Sequence, residues 1–190
     1  MSDKEYVRSH IREVPDFPKK GILFLDITTA VKDKKALQYI VDYLAEQFKD
    51  QRIDYVAGIE SRGFIFGTAL ALKLNAGFVL IRKPNKLPAE TIKETYSLEY
   101  GTDTIEMHID AVQAGDRVLI VDIEQGEKIV VIDDLLATGG TAMAAVHLVE
   151  KTGATVVSTA FVIELDPLKG REKIEKTGCP VCSMLHYNLD

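Results

Sequence analysis

One stretch of the chain, residues 129–141, has an order of residue types that few folds accommodate. Its sequence is IVVIDDLLATGGT. The four β-branched residues 129–132 show no polar alternation, which is typical of a strand buried on both faces of a parallel sheet. Two adjacent carboxylates and a run of small residues then lead into a helical pattern. The segment therefore predicts a strand, a loop and a helix of an open α/β fold.

The loop after this strand has the residue types of a sugar-phosphate site. Ligands of open α/β sheets bind at the carboxyl ends of strands, where Asp133 and Asp134 would accept hydrogen bonds from sugar hydroxyls. Backbone N–H groups before a helix favour a phosphate. The residues that would supply them are Ala137, Thr138, Gly139, Gly140 and Thr141. We therefore expect a ribose 5-phosphate, although an ordinary strand-to-helix connection uses similar residues.

The whole chain favours one globular α/β domain over residues 1–190. Its 190 residues are 46% hydrophobic and 27% charged, which suits a soluble domain with a substantial core. Apolar strand patterns alternate with helical ones, and this order predicts a mainly parallel central sheet flanked by helices. The net charge of −6 argues against sequence-independent nucleic-acid binding. The polar start, MSDKEYVRSH, favours neither a secretory signal nor a membrane anchor, so we expect a cytoplasmic protein.

A second constellation, GIESRGF at residues 58–64, follows another apolar strand pattern. Arg62 can bind two oxygens of a pyrophosphate at once, and the flanking glycines let the backbone and Ser61 approach the ligand closely. A surface arginine after a strand is the plainer alternative. Together with the first segment, the motif predicts a pyrophosphate beside the sugar phosphate.

A long, charged, proline-containing segment follows the strand pattern at residues 77–81. We predict a flexible lid over about residues 82–104, because long irregular loops in compact domains are often functional. Such a lid would bring Lys83 and Lys86 to the phosphates and Glu99 and Tyr100 over the reacting centre. A solvated basic hairpin tip is the alternative.

These motifs resemble known ones. The segment at 129–141 resembles the phosphoribosyl pyrophosphate loop of type I phosphoribosyltransferases, and the sequence carries neither a P-loop nor a dinucleotide-binding glycine motif. Residues 15–27, PDFPKKGILFLDI, closely resemble the base-binding stretch of adenine phosphoribosyltransferases. With GIESRGF, KLP, YSLEYG and DDLLATGGT, the resemblance covers most of residues 11–175. It implies a type I phosphoribosyltransferase fold with a small N-terminal hood over about residues 1–33.

The resemblance also implies a reaction and a site. The substrates would be adenine and phosphoribosyl pyrophosphate, and the products AMP and pyrophosphate, with Mg²⁺ as cofactor and a homodimer as the assembly. Phe24 would stack on the purine while main-chain groups of Ile22, Leu23 and Phe24 read its edge. Glu99, with Tyr100 and Arg62, would act in catalysis, and Asp133 or Asp134 would contact the metal through water. Transfer to another purine, or donor binding without turnover, stays open.

Two features depart from the family pattern. Leu25 follows Phe24 where relatives usually carry arginine, and residues 115–122 and 126–133 form a near-repeat where relatives have one strand. We expect the second copy to occupy the sheet, because it is covalently attached to the phosphate-binding loop, and the first to form an extra arm. The reverse, with residues 123–133 looped out, is the alternative.

The remaining redox-type and metal-type residues give weaker signals. Cys179 and Cys182 form a lone C-P-V-C within an apolar, strand-like run, so we expect inert, reduced thiols. The four histidines show no ligand spacing along the sequence, so we expect structural or exposed roles for them. They are His10, His108, His147 and His186.

Overall fold

A computed structural model of the protein describes residues 1–17, 20–21, 23–97, 101–121 and 135–188. The strands are β1 (Arg12–Pro15), β2 (Leu23–Asp26), β3 (Tyr55–Ile59), β4 (Gly77–Ile81), β5 (Thr91–Ser97), β6 (Thr102–His108), β7 (Arg117–Val121), β8 (Leu135–Leu136), β9 (Thr155–Leu165) and β10 (Val181–Tyr187). The helices are α1 (Asp3–Ser9), α2 (Thr28–Lys32), α3 (Lys34–Phe48), α4 (Gly63–Leu74), α5 (Gly140–Glu150) and α6 (Gly170–Glu175), with a 3₁₀ turn at Asp166–Leu168.

The centre of the fold is a parallel sheet in the order β10, β9, β7, β3, β4, with β8 also paired to β9. Along β7, Leu119 and Val121 pack into one hydrophobic cluster, and Val118 and Ile120 pack into the cluster on the opposite face. Because both faces are covered, the strand needs no polar alternation. The predicted α/β fold with helices on both sides of a parallel sheet is confirmed.

The start of helix α3 and the side that it buries both follow from its local sequence. Asp33 caps it, since its carboxylate accepts the N–H groups of Lys35 at 3.1 Å and Ala36 at 2.8 Å. Ile40 and Leu44, one helical turn apart, are fully buried against the sheet. The cap and the apolar face together fix where α3 begins and which side of it packs inward. Among the helices of the described ranges, none is long and apolar enough to span a membrane.

The prediction about the near-repeat is wrong, because the first copy fills the central position. β7 lies between β3 and β9 and pairs with both in parallel register. Both edges of β7 are therefore paired, and the sheet has no place for the second copy between β3 and β9. The prediction rested on the attachment of the second copy to the phosphate-binding loop. That reasoning fails because the loop is attached to the sheet by β8, which pairs with β9 in its own right.

The pairing of β7 and β8 with β9 shows how many residues between these two strands exceed what the sheet requires. Val121, the last residue of β7, lies opposite Ala160, and Leu135, the first residue of β8, lies opposite Ile163. Two positions of β9 separate those partners, whereas thirteen residues of the chain, 122–134, separate Val121 from Leu135. The excess is eleven residues, which equals the offset of the near-repeat.

The segment predicted as an irregular lid contains regular structure. β5 pairs with β6 in an antiparallel hairpin, so residues 91–95, predicted as loop, are strand. Ile105 and Met107, two residues apart on β6, are both fully buried. Lys151, directly after α5, donates to the Lys93 carbonyl at 3.1 Å and pairs with Glu94, which anchors the hairpin to the domain. Residues 98–100, which separate β5 from β6 in the sequence, lie outside the described residues.

Candidate active site at the carboxyl ends of the parallel strands

The turn after β3 carries Ser61 and Arg62 to the carboxyl edge of the sheet. Arg62 directly precedes α4, so the turn ends where a helix begins. A Cβ added to Gly63 would lie 2.9 Å from the Val121 carbonyl oxygen, which shows how closely this turn approaches the end of β7. The prediction that GIESRGF forms a strand, turn and helix is confirmed. We call residues 60–62 the pyrophosphate turn.

Glu60 fastens the pyrophosphate turn to the segment after β4. Arg82 donates from Nε to Glu60 Oε2 at 2.7 Å, and the Lys83 backbone N–H donates to Oε1 at 3.1 Å. The peptide bond between Glu60 and Ser61 is cis. Glu60 was not predicted, because a carboxylate in a polar turn carries no signal in the sequence until its partners are known. Its contacts hold Arg82 and the backbone of Lys83 against the pyrophosphate turn.

The phosphate loop, residues 137–141, lies between β8 and α5. Gly139 takes the left-handed conformation at φ 74° immediately before α5, so the loop delivers its backbone to the helix N-terminus as predicted. Gly170 supports it from behind, because a Cβ on Gly170 would come within 2.2 Å of the Ala137 carbonyl oxygen. Ala137 and Thr141 are buried, and Thr138 and Gly140 are partly exposed.

A tyrosine that the sequence analysis did not single out links the phosphate loop to Lys83. Thr141 Oγ1 donates to the Tyr96 hydroxyl at 2.9 Å, and Lys83 Nζ donates to the same oxygen at 3.2 Å. The Tyr96 hydroxyl in turn donates to Asp103 at 3.3 Å, and Asp103 also forms an ion pair with Lys83. Burial raises the pKa of the Tyr96 hydroxyl. The YSLEYG motif contained Tyr96, but nothing in the sequence indicated its partners.

Lys86 is brought less directly to the site. Its side chain is exposed, and its carbonyl oxygen accepts from Arg82 Nη1 at 3.2 Å. The contact therefore belongs to its backbone. Of the two lysines predicted to meet phosphates, the structure joins Lys83 to the phosphate loop through Tyr96.

The hood contributes an aromatic surface. β1 and β2 form an antiparallel hairpin that carries Leu23 and Phe24, and the Phe24 ring lies 5.0 Å from Phe17, edge to face. Phe17 was not predicted, although it lies within the motif at residues 15–27. Leu25 is 1% exposed and packs into the main core, so an apolar residue suits its surroundings. Asp26 beside it is held by Arg12 and accepts the Thr28 N–H at 2.8 Å.

Several predicted site residues lie outside the described part of the chain. They are Ile22, Glu99, Tyr100, Asp133 and Asp134. The described groups nevertheless converge: the pyrophosphate turn meets the end of β7, Glu60 joins that turn to Lys83, and Tyr96 joins Lys83 to the phosphate loop. The arrangement offers cations and backbone donors along one edge of the sheet. It is suited to an extended, multiply charged anion.

Cysteines and potential metal ligands form two further clusters. Burial raises the pKa of the Cys179 thiol to about 11, and both cysteines are free, so neither favours a redox pair. Ligand atoms of Glu164, Asp166 and His186 lie within 4.8 Å of one another, a grouping that the sequence spacing did not reveal. Arg171 already binds Glu164 through two nitrogens, so this cluster is a charge-paired network linking β9, β10 and α6.

The comparison with known proteins agrees with this geometry. The model of the phosphoribosyl transferase domain matches residues 28–183. The chain belongs to the phosphoribosyltransferase family. The match includes the pyrophosphate turn, the phosphate loop and the β5–β6 hairpin, and it begins within the hood.

Individual members of this phosphoribosyltransferase family are similar over nearly the whole chain. The adenine phosphoribosyltransferase of Koribacter versatilis is 52% identical over 182 residues, which is 96% of this chain and 93% of that protein. The crystal structure of adenine phosphoribosyltransferase from Rhodothermus marinus has a TM-score of 0.86 and 49% identity, and covers 97% of this chain and 98% of its own. The Saccharomyces cerevisiae enzyme, complexed with an imino-altritol bisphosphate and adenine, has a TM-score of 0.84 and 41% identity, with 96% and 98% covered.

Proposed function

We propose that this phosphoribosyltransferase transfers the 5-phosphoribosyl group of phosphoribosyl pyrophosphate to adenine, giving AMP and pyrophosphate in purine salvage. The observation that carries the proposal is the convergence of the pyrophosphate turn, Lys83 and the phosphate loop at one edge of the sheet. The similar proteins named adenine phosphoribosyltransferase support adenine as the acceptor. The yeast relative bound to adenine and a bisphosphate supports the same pair of subsites.

The donor would lie across the carboxyl edge. Its 5-phosphate would bind the backbone N–H groups of residues 137–141 at the start of α5, where the helix dipole favours an anion. Its pyrophosphate would bind Ser61, Arg62 and Lys83, with Lys86 as a further cation. Glu60 supports this arrangement because it fixes the backbone of Lys83 and the guanidinium of Arg82.

The ribose hydroxyls need acceptors between those two groups. Asp133 and Asp134 are the acceptors that the sequence predicts, provided that the second copy of the repeat is the strand. With β7 formed by the first copy, Asp122 is the residue that directly follows the strand, and Asp134 directly precedes β8. We therefore propose that Asp122 takes the role first given to Asp133, and that Asp134 keeps its own.

The base would bind against the hood. Phe24 would stack on the purine, and the edge-to-face contact with Phe17 supports the orientation of the Phe24 ring. Main-chain groups of Ile22, Leu23 and Phe24 would read the purine edge. A carbonyl oxygen there accepts from the 6-amino group and an N–H donates to N1, a pattern that suits adenine and opposes a 6-oxo purine.

In the reaction, adenine N9 bonds to C1 of the ribose as the bond from C1 to the pyrophosphate oxygen breaks. Pyrophosphate leaves with the electron pair, and the N9 proton passes to Glu99. Positioning and electrostatics carry most of the rate, because positive charge develops on the ribose and negative charge on the leaving group. Arg62 and Lys83 would stabilise the leaving group, while Tyr100 and the lid would exclude water.

The described residues are compatible with a Mg²⁺ ion that is held mainly by the substrate. Mg²⁺ commonly binds phosphate oxygens, waters and one or two carboxylates. The described carboxylates closest to Lys83, those of Glu60 and Asp103, are already paired with Arg82 and with Lys83 itself. Protein contacts to the ion would therefore come through Asp122 and Asp134, by way of water. When bound, the ion neutralises charge on the pyrophosphate.

The test is incubation of the protein with phosphoribosyl pyrophosphate, Mg²⁺ and either adenine, hypoxanthine or guanine, with nucleotide and pyrophosphate measured separately. We expect AMP and pyrophosphate in equal amounts and much slower turnover of the 6-oxo purines. Faster turnover of hypoxanthine or guanine would reassign the acceptor. Donor binding without any nucleotide would indicate a binding protein instead. We also propose a cytoplasmic homodimer. Light scattering of the purified protein measures the mass of the assembly and so tests whether it is a dimer.

A further inference from the structure

The Lys83 side chain is held by two facing residues of the β5–β6 hairpin. Tyr96 and Asp103 are direct partners in the hairpin register. Lys83 Nζ donates to the Tyr96 hydroxyl at 3.2 Å and forms an ion pair with the Asp103 carboxylate. The cation that would meet the pyrophosphate therefore already has an anion of the protein as its partner.

The same contacts place this ion pair at the donor site. Tyr96 is 9% exposed and Thr141, in the phosphate loop, is 3% exposed. Thr141 Oγ1 and Lys83 Nζ both donate to the one Tyr96 oxygen, at 2.9 Å and 3.2 Å. Lys83 Nζ is thus joined to the phosphate loop through the Tyr96 hydroxyl. The same hydroxyl donates to Asp103 at 3.3 Å.

Both members of the pair are charged and only partly exposed. Each side chain is 30% exposed, so solvent screens their interaction less than it would at an open surface. Burial by itself would raise the pKa of Asp103, yet Lys83 and the Thr104 N–H together hold it below its ordinary value. Burial by itself would lower the pKa of Lys83, yet Asp103 and Tyr96 raise it. At neutral pH the protein therefore supplies its own counter-ion for Lys83.

We propose that Asp103 is an internal anion that competes with the donor's pyrophosphate for Lys83 and thereby sets the affinity for the donor. The inference rests on the proposed function, because it takes Lys83 as a pyrophosphate contact. A pyrophosphate that binds Lys83 must displace Asp103 or bind beside it, and a nearby carboxylate repels a multiply charged anion. Asp103 acts through Lys83 and needs no contact with the reacting atoms.

The test replaces the charge and keeps the shape. In Asp103→Asn the side-chain oxygen that accepts the Thr104 N–H at 2.7 Å is retained, so the hairpin keeps that contact. Calorimetric titration with phosphoribosyl pyrophosphate, and separately with inorganic pyrophosphate and Mg²⁺, measures affinity. We expect both ligands to bind about three- to tenfold more tightly, because the variant removes the partly screened repulsion between the Asp103 carboxylate and the pyrophosphate. KM for the donor should fall and KM for adenine should stay unchanged.

A matched control removes the same charge elsewhere. Asp42→Asn breaks the ion pair between Asp42 on α3 and Lys73 at the end of α4, whose nitrogen and oxygen lie 2.7 Å apart. This pair lies on other elements than the donor loops, so donor affinity should be unchanged. An equal gain in Asp42→Asn would show a general effect of net charge and would overturn the proposal.

A double-mutant cycle tests whether Asp103 acts through Lys83. Lys83→Met should weaken donor binding, and adding Asp103→Asn to it should give little further change. A gain that persists without Lys83, or an Asp103→Asn variant that binds the donor equally or more weakly, would overturn the inference. If the unmodified protein bound no donor and formed no AMP, the proposed function would fail. An active unmodified protein with an unaffected Asp103→Asn variant would defeat this inference alone.

Discussion

At the residue scale, the donor site depends on positions that have no side chain to offer. Gly170 touches the carbonyl of Ala137 so closely that a methyl group would lie 2.2 Å from that oxygen. Gly63 has the same relation to the end of β7. Neither glycine would bind substrate through a side chain. Each allows two backbone segments to approach one another, and the site exists because they do.

Gly170→Ala should therefore displace the phosphate loop. Overpacking of this kind costs about 1–3 kcal/mol of folding free energy, and we expect KM for the donor to rise by at least tenfold. Gly178→Ala is the control, because its added methyl has no neighbour within 4 Å. The only cost is the conformational free energy of placing alanine at φ 87°. Steady-state kinetics and urea unfolding measure both. Wild-type donor KM in Gly170→Ala would contradict this account of the loop.

Asp26 provides a pH-dependent test of the hood. Burial would raise its pKa, but hydrogen bonds from Thr28 and the ion pair with Arg12 hold the pKa below its ordinary value of 3.8. Its stabilising contribution is therefore complete above that value and is lost as pH falls through the lower, folded-state pKa. Asp26→Asn should unfold more easily at pH 7, by about 2 kcal/mol. Melting curves should show the difference between the two proteins shrinking below about pH 3.8; a difference independent of pH would contradict the assignment.

Glu99 is the residue proposed to accept the proton from N9. Glu99→Gln should lower kcat by about 10²- to 10⁴-fold and leave donor KM nearly unchanged, because a general base acts in the chemical step. Glu94→Gln serves as the control. Glu94 lies on β5, and its carboxylate pairs with Lys151, directly after α5. Full turnover of adenine by Glu99→Gln would remove Glu99 from the mechanism.

At the scale of elements, the identity of the central strand decides which carboxylate meets the ribose. Asp122→Asn should weaken donor binding by at least tenfold, since a lost charged hydrogen bond costs about 1.5–3 kcal/mol. Asp133→Asn should change it little, because β7 ends at Val121 and β8 begins at Leu135. Titration of each variant with phosphoribosyl pyrophosphate makes the comparison. A larger loss in Asp133→Asn would restore the original assignment.

The elements also show where sequence reasoning succeeds and fails. β3, β4 and β9 were predictable because strands buried on both faces are uniformly apolar. β5 was missed because TIKETYS mixes polar and β-branched residues, and the hairpin partner and the side of α5 that stabilise it are remote in sequence. The repeat gave two equivalent candidates for one strand. The hydrophobic pattern cannot show which of two equivalent copies forms the strand. Only the pairing with β9 distinguishes them.

The site shows the same limit. Arg62, Lys83 and the phosphate loop were proposed from the sequence because their residue types match phosphate chemistry directly. Glu60, Tyr96 and Asp103 were not, since each acts by holding another residue. Such partners become visible only when the fold brings distant segments together, as Tyr96 and Thr141 are brought together here.

At the scale of the whole molecule, the surplus of residues between β7 and β8 should be removable. Deleting residues 123–133 joins Asp122 to Asp134 and leaves the two positions that β9 spans. Closing a shorter loop costs less chain entropy, so the free energy of unfolding should rise by about 1–2 kcal/mol. Urea unfolding and donor titration test the deletion. Loss of cooperative unfolding would show that those residues belong to the fold.

The support of the phosphate loop by later parts of the chain has a consequence for synthesis on the ribosome. β8 pairs with Ile163 and Glu164, and Ala137 rests against Gly170, so the loop is held by residues that follow it. A nascent chain released only as far as α5 carries residues 137–141 without their support. The donor site is therefore assembled late, after β9 and the start of α6 have left the exit tunnel, and a prematurely terminated chain lacks it.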